Sequence, residues 1–351
     1  MEAKTFNNKH SSGGMKKLAI VILNWNGVKY LQQFIPNVVK YSNTDNYQVD
    51  IIVADNGSSD ISISWLQQNY PSVKTILLDK NYGFTGGYNL ALQQVYADYY
   101  LILNSDIEVT EGWLSPLLNF MESNPRAAAC MPKLLSHNEP NRFEYAGAAG
   151  GFIDFLGYPF CRGRILNVVE EDKGQYNNSS EIFWATGACM LIRSQQFWEA
   201  GGFDNDFFAH MEEIDLCWRL KRLDYSIWCI PKSTVYHVGG GTLAANNPRK
   251  AYFNHRNNLL MLLKNLSRLS LVPVLVFRYL LDIATAFLYL ISGKPKFTWS
   301  VIKAHLYFLK SIGKTVRKRR RFKHPKISLY RNSIILQFFF LNRKKFSDLN
   351  F

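Results

Sequence analysis

Cysteine is scarce in this 351-residue chain: there are five, an odd number, and no two of them form a Cys-x-x-Cys clip. Neither a disulfide framework nor a structural zinc site is expected. Export signals are lacking too, because the apolar run at 18–23 follows Lys16 and Lys17 but stops at Asn24-Trp25-Asn26-Gly27. No Gly-x-Gly-x-x-Gly follows a strand, since Gly83-Phe84-Thr85-Gly86-Gly87 has the wrong spacing, and this argues against a nicotinamide dehydrogenase. There is no internal repeat and no low-complexity tract. The expectation is a reduced, cytosolic protein in which residues 1–14 form a disordered polar extension and Met15 is an alternative start.

What the chain does contain fits a folded protein, with 47% hydrophobic and 19% charged residues. Charge is distributed unevenly. The net charge is +14, but residues 249–351 hold 22 basic and 2 acidic residues, so the tail carries +20 and the remainder −6. A nucleic-acid-binding protein would use such a tail, with 314–323 as its phosphate patch. That reading leaves the polar pattern of the first half unexplained, and no nucleic-acid partner is expected.

Residues 18–23, 49–54, 73–78 and 99–103 read as strands, the first two as continuous Ile- and Val-rich runs. Leu31, Phe34, Ile35 and Val38 have helical spacing, and residues 87–96 read as a second helix. Strands alternating with helices predict an α/β fold with a mostly parallel sheet flanked by helices. Ligands of such sheets bind beyond the carboxyl ends of the strands. Those ends carry Asn24 and Asn26, Asp55 and Asn56, Asn81 and Gly83, and Asn104 with Asp106. Turn chemistry alone would account for any one of them, whereas four decorated ends favour a nucleotide-sized site. Residues 143–163, rich in glycine and aromatics, read either as a mobile cleft wall or as an irregular loop.

The segment 207–220 reads as a helix. On a 3.6-residue period Glu212, Asp215 and Arg219 share one face, read as a solvated ion-pair cluster. Glu213 instead shares its face with Leu216, Cys217 and Leu220, where desolvation would raise its pKa toward that of a general base. Asp106 and His237, which precedes three glycines, suit a hard divalent ion whose other positions go to a diphosphate and water.

Together these residues resemble the family 2 inverting glycosyltransferases of the GT-A fold, in the rhamnosyltransferase-like branch, over roughly residues 17–260. The resemblance rests on Val21-Ile22-Leu23-Asn24-Trp25-Asn26-Gly27, Val53-Ala54-Asp55-Asn56-Gly57-Ser58-Ser59-Asp60, the loop 81–89, Asn104-Ser105-Asp106, Thr186-Gly187-Ala188, Gly201-Gly202-Phe203-Asp204 and 212–216. It implies a nucleotide-diphosphate sugar donor contacted by Asn24, Asn26, Asp55, Asn81, Gly83, Gly87, Asn89, Asn104 and Ser105. It also implies Mg2+ or Mn2+ on Asp106 and His237, although Asn104 replaces the first acid of the family's Asp-x-Asp motif. Glu213 is the implied base, with Glu212 as runner-up, acting on a saccharide or lipid-linked acceptor in a single inverting displacement of cell-surface polysaccharide synthesis.

The expected organisation is a donor half at 15–130, an acceptor and catalytic half at 131–262, and a basic helical extension at 263–351. Residues 269–291 are apolar enough to suggest a membrane span. However, Arg278 and Asp282 cost about 2.5–3.5 kcal/mol each on insertion scales, and Pro273 is expected to interrupt the helix. Ile302, Leu306 and Leu309 beside Lys303, Lys310 and Lys314, with the apolar 334–341 flanked by Arg331 and Arg343, favour an anionic membrane surface. The alternative is a helical subdomain packed on the enzyme with solvated charges. The expected location is cytoplasmic, peripheral on the inner face of the cell membrane.

Overall fold

The computed structural model describes residues 14–239, 246–319 and 327–351. The expected extension lies outside them apart from Gly14, as do Gly240, Gly241 and part of the basic run that begins at Arg317. The chain opens with β1 (Lys16–Asn24), α1 (Val28–Tyr41), β2 (Tyr47–Asp55), α2 (Ser62–Asn69), β3 (Lys74–Leu77), α3 (Gly83–Leu92) and β4 (Tyr99–Asn104). β1 pairs in parallel with β2 and β4, and β2 in parallel with β3. Leu18 to Ile22 are buried, as a strand covered on both faces requires, and α1 buries Leu31, Phe34, Ile35 and Val38. α3 begins four residues before its expected start. Glycine is a poor helix former, and packing against the sheet overrides that propensity here.

Next come β5 (Ile107–Val109), α4 (Leu114–Ser123), β6 (Ala127–Ser136), β7 (Gly151–Ile153), β8 (Pro159–Cys161), β9 (Arg164–Ile165) and β10 (Val168–Val169). They are followed by β11 (Ser180–Ile182), β12 (Cys189–Arg193), α5 (Ser194–Glu199), α6 (Glu212–Arg222) and β13 (Ser226–His237). The main sheet runs β11-β13-β6-β12-β4-β1-β2-β3, with β5 added on β13. β6 and β13 are parallel, and β12 lies antiparallel between β4 and β6. The glycine-rich stretch supplies two strands of a separate small antiparallel sheet, β10-β9-β8-β7. Strands of two or three residues are too short to set up a visible alternation. All five cysteines are buried and free.

The chain then forms α7 (Pro248–Asn265), α8 (Arg268–Ile291), α9 (Pro295–Arg319) and α10 (Ile334–Phe339). Pro273 does not interrupt α8; it is accommodated inside the helix. Arg278 and Asp282 are not a burden on an apolar helix but its inner face: they are 3% and 1% exposed. Asp282 accepts from Arg278 Nη2 at 3.3 Å and lies 3.1 Å from His255 Nδ1 and 3.0 Å from His305 Nε2, joining α7, α8 and α9. Burial opposes its ionisation, but Arg278 and the two imidazoles hold it well below the usual carboxylate range. The Arg278 guanidinium lies over the Tyr158 ring at 3.9 Å. The outer face of α8 exposes Leu269, Val272, Val276, Phe277, Leu280, Ile283 and Phe287, each more than half accessible.

Several of the tail's basic residues meet the acidic body. Lys314 and Lys318 reach Asp206 at 2.5 and 2.7 Å, Lys264 reaches Asp204 and Asp215 at 2.7 Å, and Lys318 also pairs with Asp204. Asp282→Ala would strand the buried Arg278 guanidinium and two half-buried imidazoles. It is expected to cost about 3–5 kcal/mol in denaturant unfolding, and a loss below ~1 kcal/mol would show that the cluster does not join the three helices.

Candidate active site

The carboxyl ends of β1, β2 and β4 converge. Asn24, fully buried, donates from Nδ2 to Asp55 Oδ1 at 3.1 Å, and its Oδ1 has no partner. Asp55 also accepts from the Ser58 amide at 2.9 Å and the Ser58 hydroxyl at 2.6 Å. Asn26 is exposed, and its Oδ1 accepts from the amides of Ser59 and Asp60, so it braces the loop after β2. Asn56 donates to the carbonyl of Gly83 at 3.1 Å and accepts from Tyr82 N at 3.0 Å, while Asn81 Oδ1 accepts from Gly83 N at 2.8 Å. These bonds set the entry into α3.

Two glycines there are required by close approach. Gly83 has φ +71°, and a Cβ would lie 2.6 Å from the Phe208 ring; at Gly87 it would lie 2.8 Å from Leu23. Asn89 turns elsewhere. Its Nδ2 donates to Phe203 O and Asn205 Oδ1 at 2.7 Å, and its Oδ1 accepts from Phe203 N at 3.0 Å, so it brackets the segment ahead of α6.

Asn104 and Ser105 are half-buried, and the Asn104 amide donates to Ala188 O at 2.9 Å. Pairing of β5 with β13 puts His237 opposite Ile107 and so beside Asp106: His237 Nε2 lies 3.1 Å from Asp106 Oδ1. His237 Nδ1 lies 3.3 Å from Glu144 Oε1. All three side chains are buried. Burial disfavours the imidazolium, but Glu144 and Asp106 more than offset it and raise the His237 pKa to about 10. Burial likewise opposes ionisation of Asp106, and the bond to His237 outweighs it, lowering its pKa.

Asp106 and His237 are the donors that would hold a divalent cation, which would have to displace the proton shared between Nε2 and Oδ1 at 3.1 Å; among the described residues no group of three or more His, Cys, Asp or Glu is arranged to hold a metal. Glu144 supplies the carboxylate that commonly orients a ligating imidazole. Glu144 is absent from the expectations because it is remote in sequence from His237, and no spacing links the two.

α6 begins after a run of left-handed residues, with Phe208, His210 and Met211 at φ 65°, 71° and 70°. Glu212, Asp215 and Arg219 do not form the expected solvated cluster. They are 5%, 0% and 3% exposed, because α7 covers that face. Asp215 accepts from Arg219 Nε at 2.9 Å, Lys264 Nζ at 2.7 Å and Asn265 Nδ2 at 2.8 Å. Glu213 is the half-buried one, close to Gly187, and its Oε2 has no partner. Burial raises its pKa to about 7, against the pull of the first α6 amides. Burial and the adjacent Glu213 also raise the Glu212 pKa well above the usual carboxylate range. His210 is lowered to about 4 by burial and by Lys250.

Residues 19–201 match the sequence model of glycosyl transferase family 2. The chain belongs to that family. It is an inverting glycosyltransferase that uses a nucleotide-sugar donor. It is 25% identical to the N-acetylglucosaminyl-diphospho-decaprenol L-rhamnosyltransferase of Mycobacterium tuberculosis, over 63% of this chain and 75% of that one. It is also 25% identical to the rhamnosyltransferase WbbL of Escherichia coli, over 67% of this chain and 86% of that one. A crystal structure of GalNAc-T7 with UDP, GalNAc and Mn2+ superposes with TM-score 0.55 at 15% identity, covering 71% of this chain and 48% of the longer GalNAc-T7 chain. The shared architecture is the GT-A fold of this glycosyltransferase.

The raised pKa of Glu213 sets a pH dependence of stability. A carboxylate whose folded pKa exceeds its unfolded value favours the native state fully below about 4.5, and that contribution is lost as pH rises through about 7. Glu213→Gln is therefore expected to gain on the parent by ~2 kcal/mol between pH 5 and pH 8.5 in urea unfolding. A constant difference across that range would mean that Glu213 titrates normally.

Proposed function

We propose that this glycosyltransferase uses Glu213 as its base and delivers a sugar to a hydroxyl of a lipid-linked saccharide in cell-surface polysaccharide synthesis. The carrying observation is the Glu213 carboxylate: partnerless at Oε2, near Gly187 at the start of α6, with a pKa of about 7. The acceptor O–H gives its proton to Glu213. Its oxygen bonds to the anomeric carbon while the bond from that carbon to the diphosphate oxygen breaks, which inverts the sugar. Glu212, whose Oε2 is likewise unpartnered but which is buried where Glu213 is half-exposed, is the weaker candidate. A divalent cation, Mg2+ or Mn2+, would supply positive charge to the departing diphosphate, with Asp106 and His237 as its protein ligands. The donor side comprises Asn24, Asp55, Asn81, Gly83, Gly87, Asn104 and Ser105, in a donor half over 15–130. The residues 131–262 form the acceptor half. The acceptor class is supported by the decaprenol-linked substrate in the name of the mycobacterial relative.

The test is a hydrolysis and transfer screen against uridine, guanosine and thymidine diphosphate sugars with Mg2+ or Mn2+. Glu213→Gln is expected to lose at least ~100-fold in kcat, with donor affinity retained, and the parent rate to rise with pH through about 7. Chelation or Asp106→Ala should abolish metal-dependent donor binding. A dead Glu212→Gln beside a near-normal Glu213→Gln would exchange the two roles, and full activity in chelator would remove the cation.

The outer faces of α8, α9 and α10 support docking on an anionic membrane from the cytoplasmic side. Phe277, Leu280 and Phe287 lie exposed with Trp299, Leu306 and Leu309 on α9, Phe339 on α10 and Phe340 just after it, with Lys303 and Lys310 of α9 exposed as well. α8 is long and apolar enough to cross a membrane by length and composition, but its Arg278–Asp282 face is taken up by α7 and α9, which supports lying in the interface over spanning it. The enzyme is expected to sediment with vesicles containing anionic lipid, less with neutral ones and less in high salt. Phe277→Asp with Leu280→Asp should abolish sedimentation without changing Tm. Unchanged sedimentation of that variant would exclude α8, and resistance to alkaline extraction would mean a span.

A further inference from the structure

The segment between Asp204 and α6 holds three non-glycine residues at positive φ, Phe208, His210 and Met211. Such backbone persists only where its surroundings over-determine it. Here one side chain does most of that. Asn257, on α7 and fully buried, donates from Nδ2 to three carbonyls of the segment: Phe207 at 3.0 Å, Ala209 at 2.8 Å and His210 at 2.7 Å. Its Oδ1 accepts from Arg256 Nε at 2.8 Å. Arg256 in turn donates from Nη2 to Asp206 O at 2.9 Å and Phe207 O at 2.6 Å, while its guanidinium lies over the Tyr307 ring of α9 at 4.9 Å. The same segment makes two more bonds that bear on the site: Phe208 O accepts from the amides of Phe84 and Thr85 in the first turn of α3.

We propose that Asn257 is a positioning residue for glycosyl transfer: its carboxamide holds the strained segment 206–211 in the one path that delivers Glu213 to the reacting atoms. The proposal rests on the assignment of Glu213 as base. An aliphatic side chain of the same size fills the space but offers no donor to the Ala209 and His210 carbonyls, while Phe207 O keeps its bond from Arg256. The donor loop does not depend on this clamp alone, because Asn56 and Asn81 hold Gly83 from the other side. The loss therefore falls on turnover and spares donor binding.

Asn258 provides the control. It is the next residue of α7, equally buried, and donates to Gly157 O at 2.6 Å, away from the strained segment. The full-length enzyme, Asn257→Leu and Asn258→Leu are compared using the nucleotide sugar that the parent turns over fastest. Three quantities are read: kcat and donor KM, Tm, and hydrogen exchange of residues 204–213 by mass spectrometry. Asn257→Leu is expected to lose tenfold or more in kcat with KM within threefold, and to exchange faster in 204–213. Asn258→Leu should lower Tm to a similar extent but keep kcat within twofold and leave that exchange unchanged. If Asn257→Leu keeps kcat within twofold, or if both variants lose kcat in step with Tm, the residue is merely structural and the proposal is overturned. Should Glu213→Gln remain active while Asn257→Leu is slow with fast exchange, the clamp stands and only the identity of the base is lost.

Discussion

The carbonyl oxygen of Phe208 ties together the two helix N-termini from which the site is built. The first amides of a helix lack partners within it, and α3 has no side-chain cap, since Tyr82 offers none. Phe208 O takes that place for Phe84 and Thr85, and it belongs to the segment that leads into α6 and its two glutamates. Gly83 is required at the joint because a Cβ there would strike the Phe208 ring. The donor-side loop and the carboxylate side therefore share one backbone junction. The junction links the donor-side loop to the glutamates of α6 without a direct contact between their side chains, while Asn56 and Asn81 hold Gly83 separately.

The helical layer fixes that junction from behind by using charge beside the apolar contacts of Leu259 to Leu263. Asp204, Asp206 and Asp215 meet Lys264, Lys314 and Lys318, and Asp282 gathers Arg278, His255 and His305. Buried ion pairs contribute little net stability, but breaking one is costly, so they specify orientation more than they strengthen the fold. With its ionisable residues turned inward, α8 presents leucine, valine and phenylalanine to the outside. Water is a poor medium for such a surface.

Local pattern made much of the nucleotide half legible. Continuous apolar runs mark β1 and β2, the spacing of Leu31, Phe34, Ile35 and Val38 marks α1, and polar residues mark the strand ends. Those signals are written within one element, so they survive in the sequence. The strands β7 to β10 were not legible because two or three residues carry no period. The face of α6 was misjudged for a different reason: Glu212, Asp215 and Arg219 look like a wet surface on a single helix, and only α7, some 40 residues later, makes that face interior. Pro273 misled similarly, since a helix flanked by packed neighbours tolerates what an isolated one does not.

By itself the sequence determined the alternation of strand and helix, the positions of Asp106, Glu213 and His237 at element ends, and the imbalance of charge between body and tail. Each of these depends on residue type and spacing within a short stretch. Tertiary structure alone decided that Glu144 stands behind His237, that Asn257 holds the turn before α6, and that the tail's charges point partly inward. The physical reason is separation along the chain. Partners separated by 47 to 93 residues leave no mutual spacing to read, and the burial that raises or lowers their pKa values exists only once distant helices have covered them.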